Sequence, residues 1–360
     1  MKIKKRIQLL FKKIVQVIFF QIYGKIGLAK NDSLSVNFEQ FKIEIDSKHY
    51  HLYKIKNGRV YTDYVENVAI IDDNKIVNHA SYQQVLGKLV KPNLNSVLYK
   101  GTPRFKKNIK GTVVSLIQGA SGNNNYFHWM FDILPKLELL KKFGQLDSVD
   151  YFYLPPLQKF QKETLSLLKI PLSKCIDSNK YRHIQADLIL ATTHPWYQNG
   201  FILEETKNLP AWIINWAYES FINHSKKFTC NKKIFIDRSE SKFNHCQIIN
   251  NNEVINFLSD LGFSIYKTGE LSVSEQIYLF NNAEIIIGAH GAAFTNLVFC
   301  KPNTKIIEII PSAHPNEVNK KISEIKKLDY VSLKTNELKE NEKINGDIKI
   351  SLENLNSLLS

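Results

Sequence analysis

Between Lys232 and Pro311 short unbroken apolar runs alternate with longer segments whose apolar residues recur every three or four positions. The short runs at 234–236, 263–266, 285–287 and 305–310 read as buried strands. Residues 253–261, ended by Gly262, and 273–281 read as the helices between them, and 316–328 as one more after Pro311. Strands alternating with helices at this spacing predict a parallel sheet of Rossmann type. The run at 285–287 stops at Gly288-Ala289-His290-Gly291, where the residues become small. Two glycines within four residues let the backbone turn sharply and let a ligand approach the main chain. Residues 292–299 can start a helix whose free N–H groups point back at that turn. Ligands of an open α/β sheet sit outside the C-terminal ends of its strands, and a helix N-terminus there favours a phosphate. A plain strand-to-helix connection accounts for the same residues, because a lone Gly-rich turn is a weak signal.

The first half is less regular. Residues 65–72, 112–117, 150–154 and 187–191 read as strands, and 160–168 as a helix. After 118, Gly119, Gly122 and three asparagines suit a turn and a cap, so a helix is expected near Tyr126. His128 and Asp132 are four apart and share one face of it. Pro135 ends or kinks the helix. Residues 192–196, Thr-Thr-His-Pro-Trp, close this half. The aromatic-rich helix at 210–221 (Trp212, Trp216, Tyr218, Phe221) is expected to bridge to the second domain, and plain core packing accounts for its aromatics better than a binding role. The segment beyond Thr335 is rich in Lys, Glu and Asn and predicts nothing.

With 360 residues and 44% hydrophobic content, two domains with real cores are expected. The formal net charge is +14, but Lys2, Lys4, Lys5, Arg6, Lys12, Lys13, Lys25 and Lys30 all precede the first acid, Asp32. The arm is thus strongly basic and the body mildly so, which counts against a nucleic-acid-binding body. Ile7, Leu10, Phe11, Ile14, Val15 and Ile18 fall at helical spacing, in an apolar run too short to span a bilayer. A basic amphipathic helix on an anionic membrane fits this pattern, as does a helix packed on the body. The four cysteines are scattered, with no Cys-x-x-Cys pair, so neither zinc nor a disulfide framework is expected.

Arg238 follows a strand end and can hold a diphosphate bidentately, or it forms a surface ion pair. His290 can donate to a phosphate oxygen or cap the turn. Glu308 can accept from ribose hydroxyls or pair with Lys301 or Lys305. His128 and Asp132 suit deprotonation of a hydroxyl, and equally a structural pair. The chain has no Asp-x-Asp, no Gly-x-Ser-x-Gly elbow and no Walker loop.

The ordered pieces NYFHWMFDILPKL, IFIDRS, EQIYLFNNAEIIIGAHGAAFTNLVFCKP and IIEIIP resemble glycosyltransferase family 61 over roughly residues 118–311. The resemblance implies an inverting, metal-independent transferase with two Rossmann-like lobes (GT-B type) that uses a nucleotide sugar. It carries over His128, Trp129 and Asp132 from a His-Trp-x-x-Asp motif and Arg238 from a strand-end arginine. From a His-Gly-Ala-x-x-Thr-Asn motif it carries over His290, Gly291 and Asn296, and from a final Glu-Ile, Glu308. A second family arginine, in Arg-x-Ile-x-Asn-Glu, is replaced here by Cys246-Gln247-Ile248-Ile249-Asn250-Asn251, leaving Arg182 or His245 as substitute cations.

The expected organisation is a basic arm (1–30), an acceptor-side α/β lobe (31–225), a donor-binding Rossmann-like lobe (226–335) and a tail (336–360). Asp132, then His128, is the expected base, with Trp129 and Asn125 on the acceptor side. Arg238, Gly288, His290, Gly291, Ala292, Asn296 and Glu308 are expected to hold the donor. No cofactor or metal is expected. The expected partners are a nucleotide sugar, a glycan or lipid-linked glycan acceptor and an anionic membrane surface, but no nucleic acid. The expected place is the cytoplasmic face of the cell membrane, in bacterial surface polysaccharide synthesis (capsule or lipopolysaccharide). A non-catalytic sugar-, polyanion- or nucleic-acid-binding protein is the alternative.

Overall fold

The computed structural model describes residues 2–29, 37–63, 67–85, 88–90, 92–118, 124–197, 200–201, 205–239, 246–312, 314, 318–335 and 346–359. The chain divides into two compact units, Met1–Lys162 with Lys169–Glu205, and Glu163–Leu168 with Thr206–Ser360. The division falls at 205/206 rather than 225/226, so the helix Ala211–Phe221 belongs wholly to the second unit.

The second unit is built on five parallel strands. Their order across the sheet is Ser264–Tyr266, Lys233–Ile236, Ile285–Ala289, Lys305–Pro311, Asp329–Thr335. Numbered along the chain this is 2-1-3-4-5, a doubly wound order. The central strands are buried on both faces, which is why they are continuous Ile/Phe runs rather than alternating ones. Asn251–Asp260 and Val273–Asn282 are the connecting helices. Ser272 and Glu275 close a reciprocal capping box at the start of the latter, which fixes where it begins.

Three expectations change here. Ala292–Phe299 is a 3-10 rather than an α-helix, with Phe294 N donating to Gly291 O at 3.0 Å and Cys300 N to Leu297 O at 3.1 Å. The expected helix 316–328 is described as Val318–Lys326, and 316 and 317 lie outside the described residues. The polar tail also returns to the sheet. Ile348, Ile350 and Leu355 are buried in the same cluster as Phe235, Ile287 and Ile307, and Ile348 bridges Ile248.

The first unit holds a mixed ten-stranded sheet. Four strands run parallel, in the order His183–Thr192, Lys107–Ser115, Tyr151–Leu154, Cys175–Asp177. Antiparallel strands extend it, Lys48–Lys56 and Arg59–Thr62 both pairing with His183–Thr192. Only this four-strand portion has the expected Rossmann-like character. The strand expected at 65–72 is described from Val68 to Asp72, and 65 and 66 lie outside the described residues.

Candidate functional site

In the second unit the order 2-1-3 places the reversal of strand order between Lys233–Ile236 and Ile285–Ala289. A doubly wound sheet opens a crevice for ligands at the carboxyl ends of such a strand pair. Arg238 follows the first strand by two residues, and His290 and Gly291 follow the second. Arg238 lies across the turn and its Nη1 donates to the His290 carbonyl. Gly291 is what allows this. A Cβ there would stand 2.7 Å from Cζ and 2.8 Å from Nη1 of Arg238. Burial pulls the guanidinium below its usual pKa, opposed by Cys246. Asp237 shapes the loop by accepting from Ser239 N at 2.9 Å and Asn251 Nδ2 at 3.0 Å.

Glu308 lies opposite Gly288 in the parallel register and is fully buried. Its Oε1 accepts from His290 Nδ1 at 2.6 Å and Asn319 Nδ2 at 2.6 Å, and its Oε2 from the Tyr330 hydroxyl at 2.7 Å. Burial opposes its ionisation, but His290, Tyr330 and Asn319 outweigh burial and hold the carboxyl below its usual range. A carboxylate enclosed in this way cannot reach a ribose. It fixes the His290 ring instead, so the expected ribose contact is corrected to a positioning role. His290 is 18% exposed, and its ring packs against His314 at 4.2 Å between centroids. With Nδ1–H committed to Glu308, Nε2 donates to a phosphate oxygen only when the ring carries a second proton.

Asn296 is also fully buried, and its Nδ2 donates to Gln276 Oε1 at 2.8 Å. It ties the 3-10 helix to Val273–Asn282 and does not face a ligand. Gly288 is a packing position, because a Cβ there would lie 3.1 Å from Ile236 Cβ and 3.1 Å from Phe294 Cε2. Ala292 begins the 3-10 helix, where N–H groups have no partner within the helix. Where the family has its second arginine, Cys246 is buried with φ 53°. Burial pushes its thiol up to about 11. Of the substitute cations, His245 lies outside the described residues. Arg182 is in the first unit, its Nε donating to Asn179 O at 3.4 Å.

In the first unit a second cluster gathers at the carboxyl ends of two adjacent parallel strands. Asn125 caps the helix after Lys107–Ser115, its side chain accepting from Phe127 N at 2.9 Å. One α-turn passes into a π-turn, Trp129–Ile133, before Pro135–Lys142 resumes with Pro135 in the first turn. Proline there lacks an N–H that would have no use, so it restarts the helix rather than ending it. The wide turn buries Asp132. Its Oδ2 accepts from His128 Nδ1 at 2.8 Å and its Oδ1 from Trp196 Nε1 at 2.8 Å. His194 Nδ1 accepts from Tyr197 N at 3.0 Å, which puts the proton on Nε2, 3.8 Å from Asp132 Oδ2.

Burial resists ionisation of Asp132, but His128 and His194 overcome it and hold the carboxyl well below its usual range. For His128 burial favours the neutral ring, and the Asp132 carboxylate outweighs it, so the pKa is raised. Lys136 donates to the Leu116 carbonyl at 2.7 Å, and burial pushes its ammonium down to about 7 against the pull of Asp132. The ionised carboxylate accepts a hydrogen bond from Nδ1–H of His128, which leaves the Nε2 lone pair of the neutral ring on a side chain that is 20% exposed. His128 is therefore the group of this pair that can meet a substrate proton, and Asp132 orients it.

Trp129 and Asn125 are the two residues expected beside the acceptor. Trp129 is fully buried in the core and Asn125 is a cap. A cavity of about 320 Å³ in the same unit is lined by Tyr50, His51, His79, Tyr82, Trp196 and Tyr197. His194, which lines it too, and Trp196 reach Asp132 from 64 residues away in the case of the tryptophan. The signal was the Thr-Thr-His-Pro-Trp run directly after a strand.

Comparison with known proteins gives four matches. The family model described as Glycosyltransferase 61 matches residues 126–307. A beta-1,2-xylosyltransferase, RCN11, of Oryza sativa subsp. japonica is 40% identical over 60 residues, 17% of this chain and 11% of that relative's length. The chain thus matches only about a tenth of this relative. The dodecameric iron-containing heptosyltransferase TibC, solved with ADP-D-beta-D-heptose, is 12% identical with a TM-score of 0.33, over 81% of this chain and 83% of its own. A second TibC structure, from enterotoxigenic E. coli H10407, is 14% identical with a TM-score of 0.31, over 81% of each chain. The matched family segment spans just over half of the chain and contains His128, Asp132, Arg238, His290 and Gly291. This chain belongs to glycosyltransferase family 61.

Proposed function

We propose that the protein moves a sugar from a nucleotide-sugar donor to a hydroxyl of a glycan acceptor, as a GT-B-type transferase acting by one inverting displacement. The acceptor O–H gives its proton to His128 Nε2 as the new oxygen–carbon bond forms. The bond from the sugar carbon to the diphosphate breaks, and its electron pair leaves on the phosphate oxygen. Arg238, His290 and the N–H groups at the start of Ala292–Phe299 meet that charge. Asp132 holds the His128 tautomer and stabilises the imidazolium. The Trp196-lined cavity supplies aromatic faces for the acceptor sugar, beside the group that orients the base.

The observation that carries this reading is the placement of Arg238 and the Gly291 turn together at the point where the second unit's strand order reverses. The absence of Asp-x-Asp supports a metal-independent mechanism. The family and the basic arm support a role in surface polysaccharide synthesis at the inner face of a bacterial membrane. Calorimetry with UDP, GDP and CMP in EDTA tests the reading. Binding of a nucleoside diphosphate is expected, about 10- to 150-fold weaker in Arg238→Ala. Binding that needs added Mn²⁺ removes the metal-independent claim. Binding without turnover of any donor, a xylose donor included, supports instead a non-catalytic sugar-binding protein, which the buried Cys246 at the second arginine position favours.

A further inference from the structure

The N-terminal helix Lys2–Tyr23 is apolar on two opposite faces, and only one of them is used. Gln16, Phe19, Phe20 and Tyr23 recur at three- and four-residue spacing and meet the segment 99–106 of the first unit. Gln16 Nε2 donates to the Tyr99 carbonyl, and Phe19 packs edge-on against Phe105 at 5.2 Å. Phe20 covers Gly101, where a Cβ would collide with its ring. The Tyr23 hydroxyl accepts from Lys106 N at 3.0 Å. On the other side Ile7, Leu10, Phe11, Ile14, Ile18 and Ile22 form a stripe between 47% and 66% exposed.

We infer that this outward stripe docks the protein in the plane of an anionic lipid surface. The choice of occupant comes from charge. Lys4, Arg6, Lys12, Lys13 and Lys25 are exposed on or beside this helix, and no acid occurs before Asp32. Two copies of so cationic an arm repel one another, whereas anionic headgroups neutralise it while the acyl region takes the stripe. No helix among the described residues is long and apolar enough to cross a membrane. The helix therefore lies on the surface, held at its C-terminal end by Phe19 and Phe20. That anchorage fixes the distance and tilt of the first unit relative to the lipid, which a flexible tether would not do.

Deleting the arm is a poor test, because Phe19 and Ile26 are buried and the truncated protein would fail to fold for unrelated reasons. The double variant Phe11→Glu/Ile14→Glu alters only exposed positions. Full-length protein is sedimented with vesicles of phosphatidylcholine alone and of a phosphatidylcholine–phosphatidylglycerol mixture. The wild type is expected to sediment with the mixed vesicles at low salt and to be largely released at 1 M salt, where the Debye length is about 3 Å. The double variant should keep its melting temperature and lose at least about tenfold in partition. Replacing Lys4, Arg6, Lys12 and Lys13 by Gln should abolish the preference for the mixed vesicles. The inference is overturned if the wild type stays in the supernatant, binds both vesicles equally, or if the double variant sediments like wild type. It is equally overturned if ultracentrifugation shows a dimer that the double variant dissolves. Each readout is independent of glycosyl transfer, so failure here leaves the proposed reaction untouched.

Discussion

Replacing Gly291 by alanine isolates the contribution of the Arg238 guanidinium. Gly291 has φ 169° and ψ 175°, an extended conformation open to any residue, so alanine brings no backbone strain. The new methyl lies 2.7 Å from Cζ, 2.8 Å from Nη1 and 3.0 Å from Nε of Arg238. The atoms it meets are the far end of a flexible side chain, which swings away at small cost to the fold. What is lost is the position of the cation over the turn. A hydrogen bond to a charged group is worth about 1.5–3 kcal/mol, which is about 10- to 150-fold in Kd. Gly291→Ala should therefore melt within a degree or two of wild type and bind nucleoside diphosphate about 10- to 150-fold more weakly, measured by calorimetry in EDTA. Arg238→Ala should lose a similar amount. Because both act through one guanidinium, the double variant should be no weaker than Arg238→Ala alone. Wild-type affinity in Gly291→Ala, or losses that add in the double variant, would refute the placement of Arg238 on the diphosphate.

Further outcomes follow from the first unit's cluster and the tail. His128 must be neutral to accept a proton, and its pKa is raised. The acidic limb of kcat/KM should thus have its midpoint above the ordinary histidine value of about 6.5. In Asp132→Asn the limb should move to lower pH and turnover should fall about 10²–10⁴-fold. A limb below the ordinary carboxylate range would make Asp132 the base. The same shifts bear on stability. The His128 contribution is complete below its unfolded pKa and fades as pH rises through the folded one, whereas that of Asp132 is present above its unfolded value and fades on acidification. Leu355→Ala should cost about 2–5 kcal/mol in chemical denaturation, as for a core leucine. A cost near zero would mean the tail does not pack as described.

The second unit was readable because its central strands are buried on both faces, which leaves uninterrupted apolar runs such as 285–287 and 305–310. Its turn was readable because Gly288 and Gly291 punctuate it. The role of Glu308 was not, since its inward direction depends on Asn319 and Tyr330, which come from later elements. Nor was the 3-10 form of Ala292–Phe299, because spacing alone does not separate it from an α-helix. In the first unit the four-residue spacing of His128 and Asp132 put them on one face, and a 2.8 Å hydrogen bond joins them. That Asp132 is the enclosed member depends on Trp196 and His194, distant in sequence. Trp129, adjacent to His128, faces the core instead. The tail's apolar residues, Ile348, Ile350 and Leu355 among them, were masked by the polar composition around them, yet these three complete the sheet's packing.

Release of nucleotide from a panel of UDP-, GDP- and CMP-linked sugars in EDTA, with wild type, Arg238→Ala and His128→Ala side by side, tests the proposed reaction most directly. The predicted result is metal-independent release by the wild type from at least one donor. Arg238→Ala should lose it through weaker donor binding, and His128→Ala should lose it with donor affinity intact. Release that both variants retain, or a wild type that binds a donor and turns over none of the panel, would contradict it.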